Sequence, residues 1–259
     1  MNIKKTVFVL NVDNYAPEIT ELTYPLIKYW ANKIGAEFYE IKERKFPDWP
    51  VTYEKMQIHE LAKQLNSEWN IYVDSDTLIH PETIDWTSFL SKNTVAHNGS
   101  DMANIRWKYD EYFYRDGRNI GSCNWFTIAS DWCLDLWKPL EISLEEALTN
   151  IFPTVNEYNT DTTQRHLIDD YTLSRNIAKY GLKFKKLQTL QEELNMADAY
   201  FHWHTYAHTN EEKINGWIQR IWNEKEQKFI DTKVHGIKEV LDDWNIPKFI
   251  REYGKSSNN

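Results

Sequence analysis

Along the first third of the chain the apolar positions change period four times. Thr6–Val12 (TVFVLNV) is a short apolar run of buried-strand type, followed by a turn-like stretch at Asp13–Pro17. Leu22, Leu26, Ile27, Trp30 and Ile34 then recur at helical spacing, and Gly35 stands where a helix C-cap would. Glu37–Ile41 returns to strand character before a loop containing Pro and Trp (KFPDWP). A second helix is predicted from about Tyr53 to Leu65, with Met56, Leu61 and Leu65 inward. Asn70–Val73 (NIYV) is the third strand, and it runs directly into Asp74-Ser75-Asp76. Strand, helix, strand, helix, strand is the order of a parallel sheet with crossover helices. In such sheets ligands bind beyond the carboxyl ends of the strands, and both Asn11–Tyr15 and Asp74–Asp76 fall at such ends.

The middle of the chain is less regular. Thr94–His97 reads as a strand, and Asn98–Asn119 as a long polar and aromatic loop suited to a lid or an acceptor contact. Trp125–Ala129 is a strand and Asp131–Trp137 a short helix. Thr162–Tyr180 has the pattern of a long helix closed by Gly181, with a strand at Lys183–Leu187 behind it. Ala199–Trp203 is a last short strand, and Glu211–Trp222 and Thr232–Trp244 are amphipathic helices ahead of a polar tail. No repeat, low-complexity linker or shift in composition divides the chain. The expectation is one α/β domain over residues 1–259, a mainly parallel central sheet flanked by helices, with C-terminal helices from about residue 211.

Composition narrows the function classes. A formal net charge of −9 argues against a nucleic-acid or anionic-membrane surface, which needs a basic face. No stretch approaches the ~20 apolar residues of a membrane span, and the N-terminal residues lack the apolar core of a signal peptide. Cys123 and Cys133 have no metal-ligand spacing, and two reduced thiols suit a cytoplasmic protein. The 12 Trp and 15 Tyr suit a chain that stacks on nucleobases or sugar rings, although core filling accounts for most of them.

Asp74 and Asp76 are the first candidate chemistry. Alternate residues of an extended chain point the same way, so both carboxylates can meet one cation. Hard carboxylate oxygens select Mn²⁺ or Mg²⁺, ions that keep positions open for phosphate oxygens. Such an ion also reconciles an acidic chain with a diphosphate ligand.

An apolar strand, then Asp-x-Asp, then a short apolar run (IYVDSDTLIHP) resembles the DxD signature of GT-A glycosyltransferases. Further segments are similar to the retaining glycogenin-like and bacterial galactosyltransferase-like members. The resemblance implies that Asn11, Val12, Asp13 and Tyr15 hold the nucleoside, Tyr15 by stacking on the base. It implies that Asp74, Ser75 and Gly121 (in the stretch NIGS) face the donor, and that Lys55 approaches the sugar-phosphate; taken alone, Lys55 reads more readily as a surface lysine. Asp169-Asp170, in HLIDDYTLSRNIAKYG, match a pair that stands beside the reacting sugar and the acceptor. His202 or His204, in AYFHWH, matches a histidine that completes the metal site. The Gly and Lys-Pro-Trp that usually follow are missing, and the nearest lysine is Lys213.

The activity implied is transfer of a sugar from a UDP- or GDP-linked donor to a hydroxyl of a carbohydrate or glycan acceptor, with Mn²⁺ or Mg²⁺ as cofactor. Asp169 or Asp170 would serve as base if configuration inverts, or steady the oxocarbenium-like sugar if it is retained; the resemblance leans to retention. Two rivals stand beside this reading. A nucleotidyltransferase would carry a Gly-rich, basic phosphate loop after the first strand, and NVDNYAPE is neither. A non-catalytic sugar- or nucleotide-binding module would use the aromatics and leave the carboxylates idle.

Overall fold

A computed structural model describes residues 3–79, 83–97, 125–150, 168–194 and 209–214. Its six-stranded sheet is built from β1 (Lys5–Leu10), β2 (Ala36–Ile41), β3 (Trp69–Val73), β4 (Thr94–His97), β5 (Phe126–Ser130) and β6 (Lys183–Lys186). The helices are α1 (Pro17–Lys33), α2 (Ile58–Leu65), α3 (Leu144–Asn150), α4 (Ile168–Lys179) and α5 (Leu187–Glu193). The strands lie in the order β2-β1-β3-β5-β4-β6. β1 pairs in parallel with β2 and β3, and β4 with β6, whereas β5 runs antiparallel to both β3 and β4. All strands but β5 therefore point one way, as expected of a mainly parallel sheet. The carboxyl ends of β1, β3 and β4 share an edge with the start of β5.

The sheet is covered on both faces, which is why its central strands are mostly apolar. All five residues of β3 are buried. Their side chains alternate between two cores, as strand geometry requires. Phe8, Leu10 and Tyr72 pack with Met56, Leu61, Trp137, Tyr171 and Ile177 on one face. Val7, Val9, Ile71 and Val73 pack with Ile27, Trp30, Trp86, Phe126 and Leu187 on the other.

Helix α1 starts on Pro17, whose fixed φ suits a first helical position, and buries Leu22, Leu26, Ile27 and Trp30 against the sheet. Gly35 then turns the chain into β2 at φ 70°. The segment expected as one helix from Tyr53 to Leu65 has two parts, a 3₁₀ helix over Val51–Gln57 and then α2. The two helix types share a similar apolar spacing, so periodicity alone cannot part them. Asp131–Trp137 is likewise 3₁₀. The strand expected over Lys183–Leu187 ends at Lys186, because Leu187 opens α5 and its apolar side chain joins Leu190 in the core. Helix α3 and the 3₁₀ turn at Trp86–Phe89 were not anticipated from the pattern. Ala199–Trp203, Thr232–Trp244, the whole of the Asn98–Asn119 loop and most of Glu211–Trp222 lie outside the described residues.

Among the described residues no helix is long and apolar enough to cross a membrane.

Gly35 tests how much of this connection is backbone conformation alone. A Cβ added there meets nothing within 4 Å, so Gly35→Ala should cost only the left-handed conformation, about 1–2 kcal/mol. Urea unfolding should show that loss as a lower midpoint with an unchanged slope. An unchanged midpoint would remove the φ argument.

Candidate active site

The turn Asp74-Ser75-Asp76 is fixed by its middle residue. Ser75 Oγ donates to the Leu10 carbonyl at the end of β1. With its one proton so used, Ser75 accepts from the Tyr24 hydroxyl at 3.0 Å. The Ser75 carbonyl accepts from Thr23 Oγ1 at 2.6 Å. Ser75 thus faces α1 and β1 and is buried. The backbone N–H of Asp74 donates to the Trp125 carbonyl at 2.8 Å, extending the β3–β5 ladder up to the turn. With its neighbours held on both sides, the turn leaves little freedom to either carboxylate.

Asp74 Oδ1 accepts from the Tyr72 hydroxyl and lies 3.8 Å from Lys55 Nζ. Burial first, and then the Asp74 charge, hold the Tyr72 phenol well above its ordinary range, so Tyr72 remains a donor at neutral pH. Asp76 is buried, and its Oδ2 takes the ammonium of Lys213. Lys213 reaches it from a short helical turn at residues 210–214 and is itself buried.

Lys55 connects the turn to the second carboxylate pair. Its Nζ is 2.7 Å from Asp169 Oδ2, and Asp169 Oδ1 accepts from Thr52 Oγ1 at 3.4 Å. The ammonium also lies 4.5 Å from the centroid of the Tyr72 ring, within cation–π range. Burial opposes the charge of Lys55, but Asp169, Asp74 and Asp170 together outweigh it and raise the pKa above the ordinary lysine value. Its stabilising contribution is therefore complete at neutral pH and begins to fade only above the unfolded value of ~10.4. Lys55 is thus a buried strut, and the surface reading of it is corrected. Asp170, half-buried, is next along α4.

The third component is the segment after β1. Asp13 and Asn14 adopt left-handed φ values of 56° and 54°, and Ala16 one of 38°. Such conformations are costly for residues with a Cβ and concentrate at ligand sites. Asn11 anchors the segment by donating from its backbone to the Ile41 carbonyl at 2.9 Å and from Nδ2 to Glu40 at 3.0 Å. Its Oδ1 is buried and accepts no hydrogen bond among the described residues, an acceptor that a ligand donor would satisfy. Val12 is buried, whereas Asp13 and Tyr15 are exposed. The Tyr15 phenol is pushed up to about 12, first by the partial desolvation of its exposed side chain and then by the charges of Asp76, Asp74 and Glu18.

Two hard carboxylates on one turn are the donor type that suits Mn²⁺ or Mg²⁺, and one of them, Asp76, already holds the Lys213 ammonium. Among the described residues no three His, Cys, Asp or Glu side chains are grouped to hold an ion. Gly121, His202 and His204 lie outside the described residues.

No family model and no curated protein matches this chain. Several solved structures resemble it in the course of the backbone. One is a glycosyltransferase involved in the glycosylation of the major capsid of PBCV-1, at 11% identity over 81% of this chain and 96% of that one, with a TM-score of 0.43. A second is a mutant of Drosophila β-1,4-galactosyltransferase 7 in complex with manganese, UDP-Gal and xylobiose. It is 10% identical over 91% of this chain and 84% of that one, with a TM-score of 0.43. The glycosyltransferase GlyE of Streptococcus pneumoniae is 11% identical over 94% of this chain and 63% of that one, with a TM-score of 0.38. At these values the likeness assigns no family or activity.

Sequence reasoning missed Tyr72, Thr52 and the hydroxyls of Thr23 and Tyr24. Tyr72 carried a usable signal, since it stands two residues before Asp74 on an extended strand and shares its face. Thr52 and Thr23 carried none, because their partners are remote in sequence.

The Lys55 strut yields a thermodynamic test. Lys55→Met should destabilise the protein by about 3–5 kcal/mol by leaving buried carboxylate unpaired. Because Asp169 carries much of that penalty, Lys55→Met combined with Asp169→Asn should be far less damaging than the sum of the single changes. Denaturant titration of the four-member cycle should give a coupling of at least about 1.5 kcal/mol. Additive effects would show that the 2.7 Å contact carries no mutual stabilisation.

Proposed function

We propose that the chain is a metal-dependent glycosyltransferase of the GT-A type, transferring a sugar from a UDP- or GDP-linked donor to a hydroxyl of a carbohydrate or glycan acceptor. One observation carries the reading. Lys55 joins Asp74, at the strand-end turn suited to a metal and diphosphate, to Asp169 on α4, where the resembling enzymes keep the reacting sugar. A site for the donor's phosphates and a site for its sugar thus adjoin at the edge where α/β sheets bind ligands.

In this reading Asp74 and Asp76 hold the ion, with His202 or His204 as a further ligand. When bound there, Mn²⁺ or Mg²⁺ neutralises the charge that develops on the departing nucleoside diphosphate. Asn11, with its unsatisfied Oδ1, and the exposed Asp13 and Tyr15 take the nucleoside, Tyr15 stacking on the base. The buried Ser75 contributes only by fixing the turn. Gly121 contributes on the donor-sugar side.

Both oxygens of Asp169 have protein partners, Thr52 and Lys55. Asp170 is half-buried where Asp169 is buried, and in this reading it is the member of the pair that meets the ligand, while Asp169 keeps Lys55 and its helix in place. With retention, Asp170 steadies positive charge on the sugar as the bond to the diphosphate lengthens. His97 ends β4 and Phe126 starts β5 at this same edge, and in this reading the Asn98–Asn119 loop serves the acceptor. A cytoplasmic location and a single domain belong to the same proposal.

The test is a panel of UDP- and GDP-sugars with Mn²⁺, read as nucleoside diphosphate release and as thermal shift. One donor class should turn over with metal and fail in EDTA, and Asp76→Asn, checked for folding by circular dichroism, should lose at least ~10²-fold in kcat. Full turnover by a folded Asp76→Asn protein would exclude the metal role.

The two aspartates on α4 should separate. Asp170→Ala should lower kcat by about 10²-fold while donor affinity stays near wild type. Asp169→Ala should instead lower the melting temperature and weaken donor binding together, because it strands Lys55. The reverse pattern in steady-state kinetics and melting curves would exchange their roles.

A further inference from the structure

The turn at residues 209–214 is more specified than its length suggests. Thr209 and Glu212 form a reciprocal capping box: Thr209 N–H donates to Glu212 Oε2 at 2.7 Å, and Glu212 N–H donates to Thr209 Oγ1 at 3.2 Å. This arrangement sets where the helical turn begins and so where Lys213 points. Two contacts then dock the turn on the candidate site. Asn210 Nδ2 donates to Glu18 Oε1 at 2.6 Å at the start of α1, and Lys213 places its ammonium on Asp76 Oδ2.

We infer that Lys213 and a divalent cation compete for Asp76, so that the docking of the 209–214 turn opposes metal binding until a nucleoside diphosphate supplies a new partner for the lysine. This rests on the metal reading of Asp74 and Asp76 given above. An ammonium and a divalent ion on one buried carboxylate repel each other in a medium where charges are poorly screened. The ion must therefore displace the ammonium or share the carboxylate at a cost. Displaced alone, Lys213 would lose its buried partner, which is unfavourable. A diphosphate reverses the balance, because its oxygens accept both the metal and the lysine.

The consequence is synergy. Metal alone binds weakly, metal with diphosphate binds tightly, and the linkage is reciprocal. The arrangement would hold the site in a charge-balanced form until donor and ion are both present. The chemical class recognised by the freed lysine is a nucleoside diphosphate or its sugar ester.

The experiment is calorimetry of Mn²⁺ alone, and of UDP and GDP in saturating Mn²⁺, on the full chain. Lys213→Met should bind Mn²⁺ alone about 10-fold more tightly than wild type and the preferred diphosphate at least ~10-fold more weakly, so that the coupling between them collapses. Lys213→Arg, which keeps the charge, should retain weak Mn²⁺ binding. Melting curves give a readout independent of turnover: Mn²⁺ should raise the melting temperature of Lys213→Met more than that of wild type. Should Lys213→Met not fold, Asn210→Ala loosens the same turn while leaving both charges, and should tighten Mn²⁺ binding about 2–3-fold. Unchanged or weaker Mn²⁺ binding in Lys213→Met, or in Asn210→Ala if Lys213→Met cannot be made, overturns the competition. Asp76→Asn separates the two readings. If it binds Mn²⁺ like wild type, the metal assignment itself fails and the competition with it; if it loses Mn²⁺ while Lys213→Met gains nothing, the competition alone is wrong.

Discussion

A lysine ammonium with almost no access to solvent has to be met by negative charge, and Lys55 meets carboxylates from two elements. It comes from the 3₁₀ segment before α2, while Asp74 follows β3 and Asp169 and Asp170 open the described part of α4. Desolvation of an ammonium costs several kcal/mol, so the folded arrangement tolerates the burial only with the carboxylates close by. The constraint runs both ways. Buried Asp169 and the lower face of the Asp74 turn are tolerable because Lys55 is there. Its own segment is held in turn by Glu54, which is fully buried and accepts from Arg44 Nε at 2.8 Å, from the backbone of Lys45 and Phe46, and from Gln57 at 2.7 Å. Adjacent residues of one short helix thus fasten the preceding loop and the candidate site.

Rigid placement of carboxylates matters because like charges otherwise move apart. Asp74 and Asp76 are one residue apart on a turn, and each has a protein donor of its own, Tyr72 for the first and Lys213 for the second. Ser75, between them, is committed to β1 and α1. Strain falls instead on the segment after β1, with left-handed φ values at Asp13, Asn14 and Ala16. Asn and Asp accept that conformation more readily than most residues, and Ala does not. The least comfortable residue, Ala16, directly precedes α1, whose start on Pro17 fixes where the segment must end.

How much of this was legible depended on range in sequence. β1 and β3 were legible because burial on two faces writes mostly apolar runs, and α1 and the start of β2 because of helical apolar spacing and because Gly35 marks a left-handed turn that few other residues would take. The Asp74–Asp76 turn was legible from its place after β3. The reversal of β5 was not, since apolar pattern carries no strand direction. Lys55 was legible as a residue near the site and illegible as a strut. Its neighbours Tyr53, Glu54, Met56 and Gln57 are all buried, apolar and polar alike, so no amphipathic stripe marks the segment, and its partner Asp169 lies on a distant helix. Lys213 was visible only as the nearest lysine to a histidine cluster. The helix expected from Glu211 is helical from residue 210, and the capping box Thr209-Asn210-Glu211-Glu212 is the local feature that sets this start.

The charge of the whole chain gains a different meaning at this edge. A net charge of −9 suggests a surface hostile to phosphate. Yet the lysines that matter, Lys55 and Lys213, are among the buried residues, each against a carboxylate of the candidate site. Screening by salt acts weakly on buried pairs, so this internal balance persists where the surface field does not. A ligand arriving at the edge therefore meets a local charge set by a few fixed pairs, and the acidic surface chiefly affects how quickly it arrives. Replacing one surface carboxylate should then alter association rates in a salt-dependent way, whereas altering one buried pair changes the chemistry of the site itself.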